Sequence, residues 1–415
     1  MAAIEKRGES SYRLTVSCGY DKQGKKIVKR KTIDLSHIKP NKQLEEANKQ
    51  WILFKDEVEK GTFLDSGKIT FEEFIQKWLK DYARVNLQPK TLLEYDKLLN
   101  RIITALGHIK LNQLQPTHLT EFYNNLREDG IRQDGKPGGL SEKTILHHHR
   151  LISSVLTSAL QWGFILNNPA LRVKAPRVEK KEARHYNIEE TEYILKLLEN
   201  EPIKYRTMIN LAIYGGMRQG ELTALTWDDI NLKTGVININ KSLQHLPGKE
   251  TFVKSTKTET SRLISIPPSA LSLLKEYKVW QNGEKAKLGD LWDKDCNNIF
   301  TANNGKPIFP STVSKWFLKF IRRHNEAIKN DVNIPEDKKE GYLIREVNFH
   351  GLRHTSATLL INQNVDVSTV SKRLGHARTS TTMDIYSHSL QRADTEAANK
   401  LENLFNKDIS VQKQG

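Results

Sequence analysis

The chain has 415 residues, with 65 Lys and Arg against 49 Asp and Glu and a formal net charge of +16. That length is enough for two or three domains with their own cores, and that charge points to a polyanionic partner, most simply nucleic acid. No run of 18 apolar residues occurs, the start carries no apolar signal core, and Cys18 and Cys296 form neither a metal pattern nor a disulfide framework; a soluble, cytoplasmic protein with no membrane partner is expected.

Residues 1–36 hold nine basic side chains against four acidic ones. Tyr12, Leu14 and Val16 alternate with Arg13 and Thr15, Asp21-Lys22-Gln23-Gly24 marks a turn, and alternation resumes from Ile27 to Ile33. The pattern predicts a small β-sheet with one basic face. Arg13, Lys25, Lys26, Lys29, Arg30 and Lys31 are its candidate DNA contacts. A helical run over Leu44–Lys60 completes a first module, residues 1–62, and the glycines and Ser66 of Gly61–Lys68 read as a linker.

From Ile69 the period changes. Phe71, Phe74, Ile75, Trp78 and Leu79 recur at helical spacing. A second helix is expected over Thr91–Leu106, and a third from Pro116, which is tolerated in a first turn, to Arg127. After the glycine-rich turn Asp129–Gly139, Ser141 caps a fourth helix to about Trp162, stopped by Asn167-Asn168-Pro169. These elements bound a helical domain at 69–172. Trp78 and Trp162 are expected in its core. His147-His148-His149 point to different helix faces, so they read as a solvated or DNA-facing cluster and not a metal site. Ala175–Glu182 reads as a second linker.

A third region, 183–390, begins with helices over Ile188–Asn200 and Tyr205–Tyr214. Gly215-Gly216 lets the backbone turn sharply, and Arg218 opens a helical segment to Leu225 in which it can pair with Glu221. The β-type runs Val236–Asn240 and Arg262–Ile266 flank a basic stretch, Phe252–Thr258, which places Lys257 near a hairpin turn. Trp280–Asp295 and Asn325–Tyr342 are polar and read as surface insertions. His350 and Arg353 are three apart on one helix face. Leu374-Gly375-His376 ends the next helical run at a natural glycine stop, and Tyr386 follows ten residues later. Donors for an anion, proton carriers and a hydroxyl that can become covalent are the inventory for attacking a phosphodiester. His350 and His354 are four apart but lack the glutamate of a zinc-protease helix, so no metal site is assigned. Residues 391–415 hold an amphipathic helix, Arg392–Phe405, with a stripe of Ala397, Leu401, Leu404 and Phe405, and a polar tail.

Gly-Met-Arg-Gln-Gly-Glu-Leu at 216–222, Lys-Thr at 257–258 ahead of Ser-Arg-Leu-Ile-Ser-Ile-Pro, His-Gly-Leu-Arg-His-Thr at 350–355, Leu-Gly-His at 374–376 and the final Tyr386 resemble, in that order, the signature of the tyrosine recombinases, the integrase class. The resemblance covers roughly 185–390. It implies a multidomain chain, mainly α with small β-sheets: an N-terminal β-rich arm-binding module, a helical core-binding domain and a mixed α/β tyrosine-recombinase catalytic domain. It implies that Arg218, Lys257, His350, Arg353 and His376 surround a scissile phosphate and that Tyr386 is the nucleophile. The linkage it implies is a 3′-phosphotyrosine, formed with no metal and no other cofactor. The partners it implies are double-stranded DNA at core and arm-type sites, a homotetramer on DNA, and an accessory DNA-bending protein or excisionase. The basic N-terminal module favours the integrase of a phage or conjugative element. Two other readings are a DNA-binding regulator without catalysis, against which the full residue set argues, and a metal-dependent nuclease or transposase. The nuclease needs convergent carboxylates, which Glu221, Asp228, Asp229 and Asp384 do not suggest.

Overall fold

The computed structural model describes residues 3–20, 23–59, 69–179, 184–246, 248, 251–255, 261–376, 383 and 402. The chain divides into two compact units, Met1–Lys180 and Lys181–Gly415. Lys257, Tyr386 and, apart from residue 402, the helix expected over Arg392–Phe405 lie outside the described residues.

The first unit opens with an antiparallel sheet of β1 (Ile4–Lys6), β2 (Ser11–Tyr20) and β3 (Lys26–Asp34), in that spatial order. Helix α1 (Gln43–Glu59) covers one face. Alternation along β2 buries Tyr12, Leu14 and Val16 with Ala47 and Phe54 of α1, and Trp51 donates from Nε1 to the Thr15 carbonyl at 3.0 Å. The charges do not gather on a single face, contrary to the expectation. Arg13 lies opposite Thr32 and Arg30 opposite Thr15, on the side away from the buried residues. Lys29 and Lys31 lie opposite Val16 and Leu14, on the helix side. There Lys31 reaches Glu57 at 3.6 Å and passes over the Phe54 ring. A run of basic residues in a strand must alternate between faces, and a lysine on the apolar face lays its stem along the core and carries its charge to the rim. Lys25 and Lys26 are exposed at the turn.

The helical part of the unit runs α2 (Phe71–Trp78), a π-helical turn at Leu79–Ala83, α3 (Arg84–Asn86), α4 (Pro89–Leu106), α5 (Pro116–Asn125) and α6 (Glu142–Gln161). Thr70 and Glu73 form a reciprocal capping box on α2, and Ser141 caps α6 as expected. Phe71, Phe74, Ile75 and Trp78 pack with Leu99, Ile102, Leu119, Phe122, Ile145 and Ile152 in one core. Trp78 donates to Ser158 Oγ at 3.0 Å. Two expectations need correction. Trp162 is 36 % exposed: α6 ends at Gln161, and the Trp162 ring meets Phe74 edge to face at 5.7 Å. His148 is buried on the α6 face that carries Ile145, Leu151 and Ile152, and donates from Nδ1 to the Thr144 carbonyl at 2.9 Å. Only His147 of the three histidines is exposed.

The second unit begins with α7 (Ile188–Leu197), α8 (Ile203–Gly215) and α9 (Gln219–Ala224). Five short strands follow: β4 (Ile230–Asn231), β5 (Val236–Ile239), β6 (Lys241–Gln244), β7 (Phe252–Ser255) and β8 (Arg262–Ser265). The two strands expected from the sequence, β5 and β8, pair with each other in a β4-β5-β8 sheet, and the basic stretch supplies β7 of a separate β6-β7 hairpin. Helices α10 (Pro268–Leu288), α11 (Pro310–Asn330), α12 (Glu336–Lys339), α13 (Phe349–Asn362) and α14 (Val367–Leu374) complete the unit. The polar stretches read as insertions are largely helix. Residues 280–288 continue α10, where buried Gln281 donates to the carbonyls of Asn298 and Ile299 and accepts from Trp227 Nε1. Asn325, inside α11, exchanges two hydrogen bonds with the backbone of Ile344. A polar residue that satisfies buried backbone groups looks like surface in a sequence and is core in the fold. Among the described residues, no helix is long and apolar enough to cross a membrane.

Candidate active site

The site forms where α8, α9, α13, α14 and β8 meet. Helix α8 ends in Gly216, in the left-handed region at φ 58°. A Cβ there would stand 2.6 Å from Leu374 Cδ2, so a larger residue would be strained by the positive φ and would have to push that side chain at the end of α14 aside. Two residues on, Arg218 occupies the N-cap of α9. Its backbone N–H donates to Glu221 Oε2 at 2.9 Å and its Nη1 to Oε1 at 2.7 Å. Its Nη2 donates to the Gly375 carbonyl at 3.1 Å, the residue before His376. The side chain remains 43 % exposed, whereas that of Glu221 is 3 % exposed.

The Asn348 side chain caps α13 by accepting from the Gly351 N–H at 3.0 Å, which puts His350 in the first turn and Arg353 on the next. Arg353 is 2 % exposed and donates from Nη1 to the Gly216 carbonyl at 2.8 Å. The rings of His350 and His354 meet edge to face at 4.9 Å. His376 follows the left-handed Gly375 that ends α14, with its N–H on the Ser371 carbonyl.

The electrostatics show how closely these groups gather. Crowding by neighbouring atoms partly desolvates the His350 imidazole, although the residue is exposed, and pulls it below its ordinary value; the charges of Arg353 and Arg218 add to the effect. His376 is held at about 4 by burial, then by Arg353, Arg218, His354 and Arg262. His354 is also held at about 4, by burial, then by His350, Arg353 and His185. Burial opposes the charge on Glu221, but the hydrogen bonds and charge of Arg262, followed by Arg218, outweigh it and hold the carboxyl at about 2. At neutral pH the pocket thus carries ionised guanidinium groups beside neutral imidazoles: donors for an anion next to groups that can take up a proton.

The structure therefore brings together Arg218, His350, Arg353 and His376, four of the six residues singled out in the sequence. The candidate DNA contacts of residues 13–31 belong to the other unit. Two residues were missed. Arg262 pairs with Glu221 through Nη2 at 2.6 Å and donates from Nε to the Arg373 carbonyl at 2.8 Å. Arg373 donates from Nη2 to the carbonyls of Tyr214 and Ser265. A signal for Arg262 existed, because it shares strand parity with Ile264 and Ile266, both buried. Among the described residues, no group of three His, Cys, Asp or Glu is arranged to hold a metal ion.

The phage integrase family matches residues 186–392, and the N-terminal SAM-like domain of phage integrases matches 70–127. A tyrosine recombinase XerC-like protein of Caldanaerobacter subterraneus subsp. tengcongensis is 26 % identical over 419 residues, covering 96 % of this chain and 98 % of its own. The ICEBs1 integrase of Bacillus subtilis is 24 % identical, covering 97 % of this chain and 100 % of its own. Among solved structures, the Tn1549 transposon integrase in complex with a circular intermediate DNA shares the fold at a TM-score of 0.63 and 20 % identity, over 80 % of this chain and 100 % of that one.

Proposed function

The chain belongs to the tyrosine recombinase family, the integrases of phages and other mobile elements, and is an enzyme of DNA strand breakage and rejoining; we propose that its chemistry is carried by Arg218, Lys257, His350, Arg353, His376 and Tyr386. The observation that supports this most is the convergence of Arg218, Arg353, His350 and His376, with Arg218 tied to the His376 turn and Arg353 to the turn before Arg218. The guanidinium groups of Arg218 and Arg353 hold the non-bridging oxygens of a scissile phosphate, where charge develops in the transition state. The Tyr386 hydroxyl attacks phosphorus, losing its proton to a neutral imidazole of the pocket. The 5′-oxygen leaves and takes a proton from Lys257. The product is a 3′-phosphotyrosine and a free 5′-hydroxyl. One phosphodiester is exchanged for another of similar energy, so rejoining is the same step reversed and no high-energy cofactor is needed.

In this reading double-stranded DNA is the partner. Residues 183–390 act at the crossover, 69–172 grip the core site, and 1–62 grip arm-type sites. Residues 391–415 couple protomers of a homotetramer on DNA. An accessory DNA-bending protein or excisionase sets the direction, and the work is done in the cytoplasm. The basic first module makes integration or excision of a phage or conjugative element the reaction served. A nicked suicide substrate tests the chemistry. Wild-type protein is expected to form a covalent adduct on a denaturing gel, in excess chelator as well, while Tyr386→Phe binds the DNA and forms none. An adduct that persists in the variant removes Tyr386 from the role, and cleavage that is lost in chelator and restored by magnesium, without an adduct, returns the metal-dependent nuclease.

A further inference from the structure

We propose that Arg262 is a positioning residue for the reaction: through Glu221 it sets the guanidinium of Arg218, and through the Arg373 carbonyl it sets the turn that carries His376. The inference rests on the recombinase reading above.

The geometry is a closed ring. Glu221 Oε1 accepts from Arg218 Nη1 at 2.7 Å and from Arg262 Nη1 at 3.2 Å. Its Oε2 accepts from the Arg218 backbone N–H at 2.9 Å and from Arg262 Nη2 at 2.6 Å. The third donor of Arg262, Nε, goes to the Arg373 carbonyl at 2.8 Å. Two residues on, the Gly375 carbonyl accepts from Arg218 Nη2 and closes the ring. The contact is tight as well as bonded: Gly375 is left-handed at φ 68°, and a Cβ there would stand 2.8 Å from Arg262 Nη1. The Arg262 side chain is 11 % exposed and that of Glu221 is 3 % exposed, so water does not replace these bonds freely.

The charge count explains why two arginines share one carboxylate. Glu221 with Arg218 alone is a neutral pair, whose attraction draws the guanidinium inward and spends its charge. With Arg262 on the second side the trio is cationic, and Arg218, the exposed member at 43 %, keeps an attraction for an incoming phosphate. Arg262 directs Nη1 and Nη2 to Glu221 and Nε to the Arg373 carbonyl, so its fork is taken up inside the protein and not aimed at that phosphate. It acts through Glu221 and Arg373, and its planar fork of donors in fixed geometry is what a lysine cannot reproduce.

The test uses the full chain in single-turnover cleavage of the suicide substrate at saturating DNA, with DNA affinity measured separately. R262K is expected to bind DNA like the wild type and to cleave on the order of 10²-fold more slowly, the scale of a displaced reacting group. Its loss is expected to shrink several-fold in an R218K background, because one of the two groups it positions is already altered. A purely structural arginine would instead slow both backgrounds by the same factor. If R262K does not fold, E221Q severs the same tether while keeping the side-chain shape, and the same absence of additivity with R218K is expected. The proposal is overturned by R262K cleaving within about twofold of wild type, or by a loss from either variant that multiplies in full with that of R218K, as independent sites do. A wild-type chain that forms no adduct overturns the recombinase reading itself, a separate outcome.

Discussion

Arg353 donates from Nη1 to the backbone carbonyl of Gly216 at 2.8 Å, across 137 residues of sequence. This bond joins the helix that carries His350 to the turn that launches Arg218, so one candidate phosphate ligand helps to place the other. The two arginines nevertheless differ in setting: Arg353 is 2 % exposed as a residue and the Arg218 side chain 43 %.

That difference predicts different costs. Arg218→Ala and Arg353→Ala are each expected to raise the cleavage barrier by about 2–4 kcal/mol, the scale of removing one donor aimed at developing charge. Arg353→Ala is also expected to lower the melting midpoint, because it empties a buried site and leaves the Gly216 carbonyl without this donor. Arg218→Ala lowers it less, since Arg262 still holds Glu221. Cleavage within about a factor of two of wild type by either variant would remove that arginine from the site.

The histidines make stability depend on pH. His354 and His376 are held at about 4, below their ordinary value of 6.5. As pH falls below 6.5 the unfolded chain takes up these protons and the folded chain does not until about 4, so their contribution is fully present above 6.5 and is lost between 6.5 and 4. Glu221, held at about 2, acts in a separate window, with its contribution present above its ordinary 4.5 and lost as pH falls towards 2. Thermal melts between about pH 7 and pH 5 are expected to show a falling midpoint, with a shallower fall in His354→Gln. A midpoint that is flat over that range would refute the assignment of half-buried neutral imidazoles.

Removing residues 1–60 is expected to weaken binding to distal DNA sites and spare cleavage at a core site. Equal binding of both DNAs by the truncated protein would show that the module does not read arm sites. Within the module the faces predict an order: Arg13→Ala and Arg30→Ala, on the side away from α1, weaken binding more than Lys31→Ala, which lies on the α1 side of the sheet. Each residue that contacts a phosphate is expected to reduce the slope of log affinity against log salt by about 1 when it is removed.

What the sequence determined by itself was local chemistry. The capping residue Ser141, the glycine stop at Gly375, the helical spacing of Phe71 to Trp78 and the β alternation around Leu14 all appear in the fold where the pattern put them, because caps, turns and periodicity act over a few residues. The order of the arginine and histidine motifs was legible in the same way. Only the tertiary structure decided which polar residues are interior. Gln281, Asn325 and His148 read as surface, yet each satisfies a backbone carbonyl in the fold. It alone decided that Lys29 and Lys31 turn towards α1 while Arg13 and Arg30 turn away. It also decided that Arg262 closes a ring with Glu221, 41 residues back, and with Arg373, 111 residues on. The energy of a buried charge depends on which charges the fold brings to within about 4 Å of it, and no local pattern in the sequence encodes that distance.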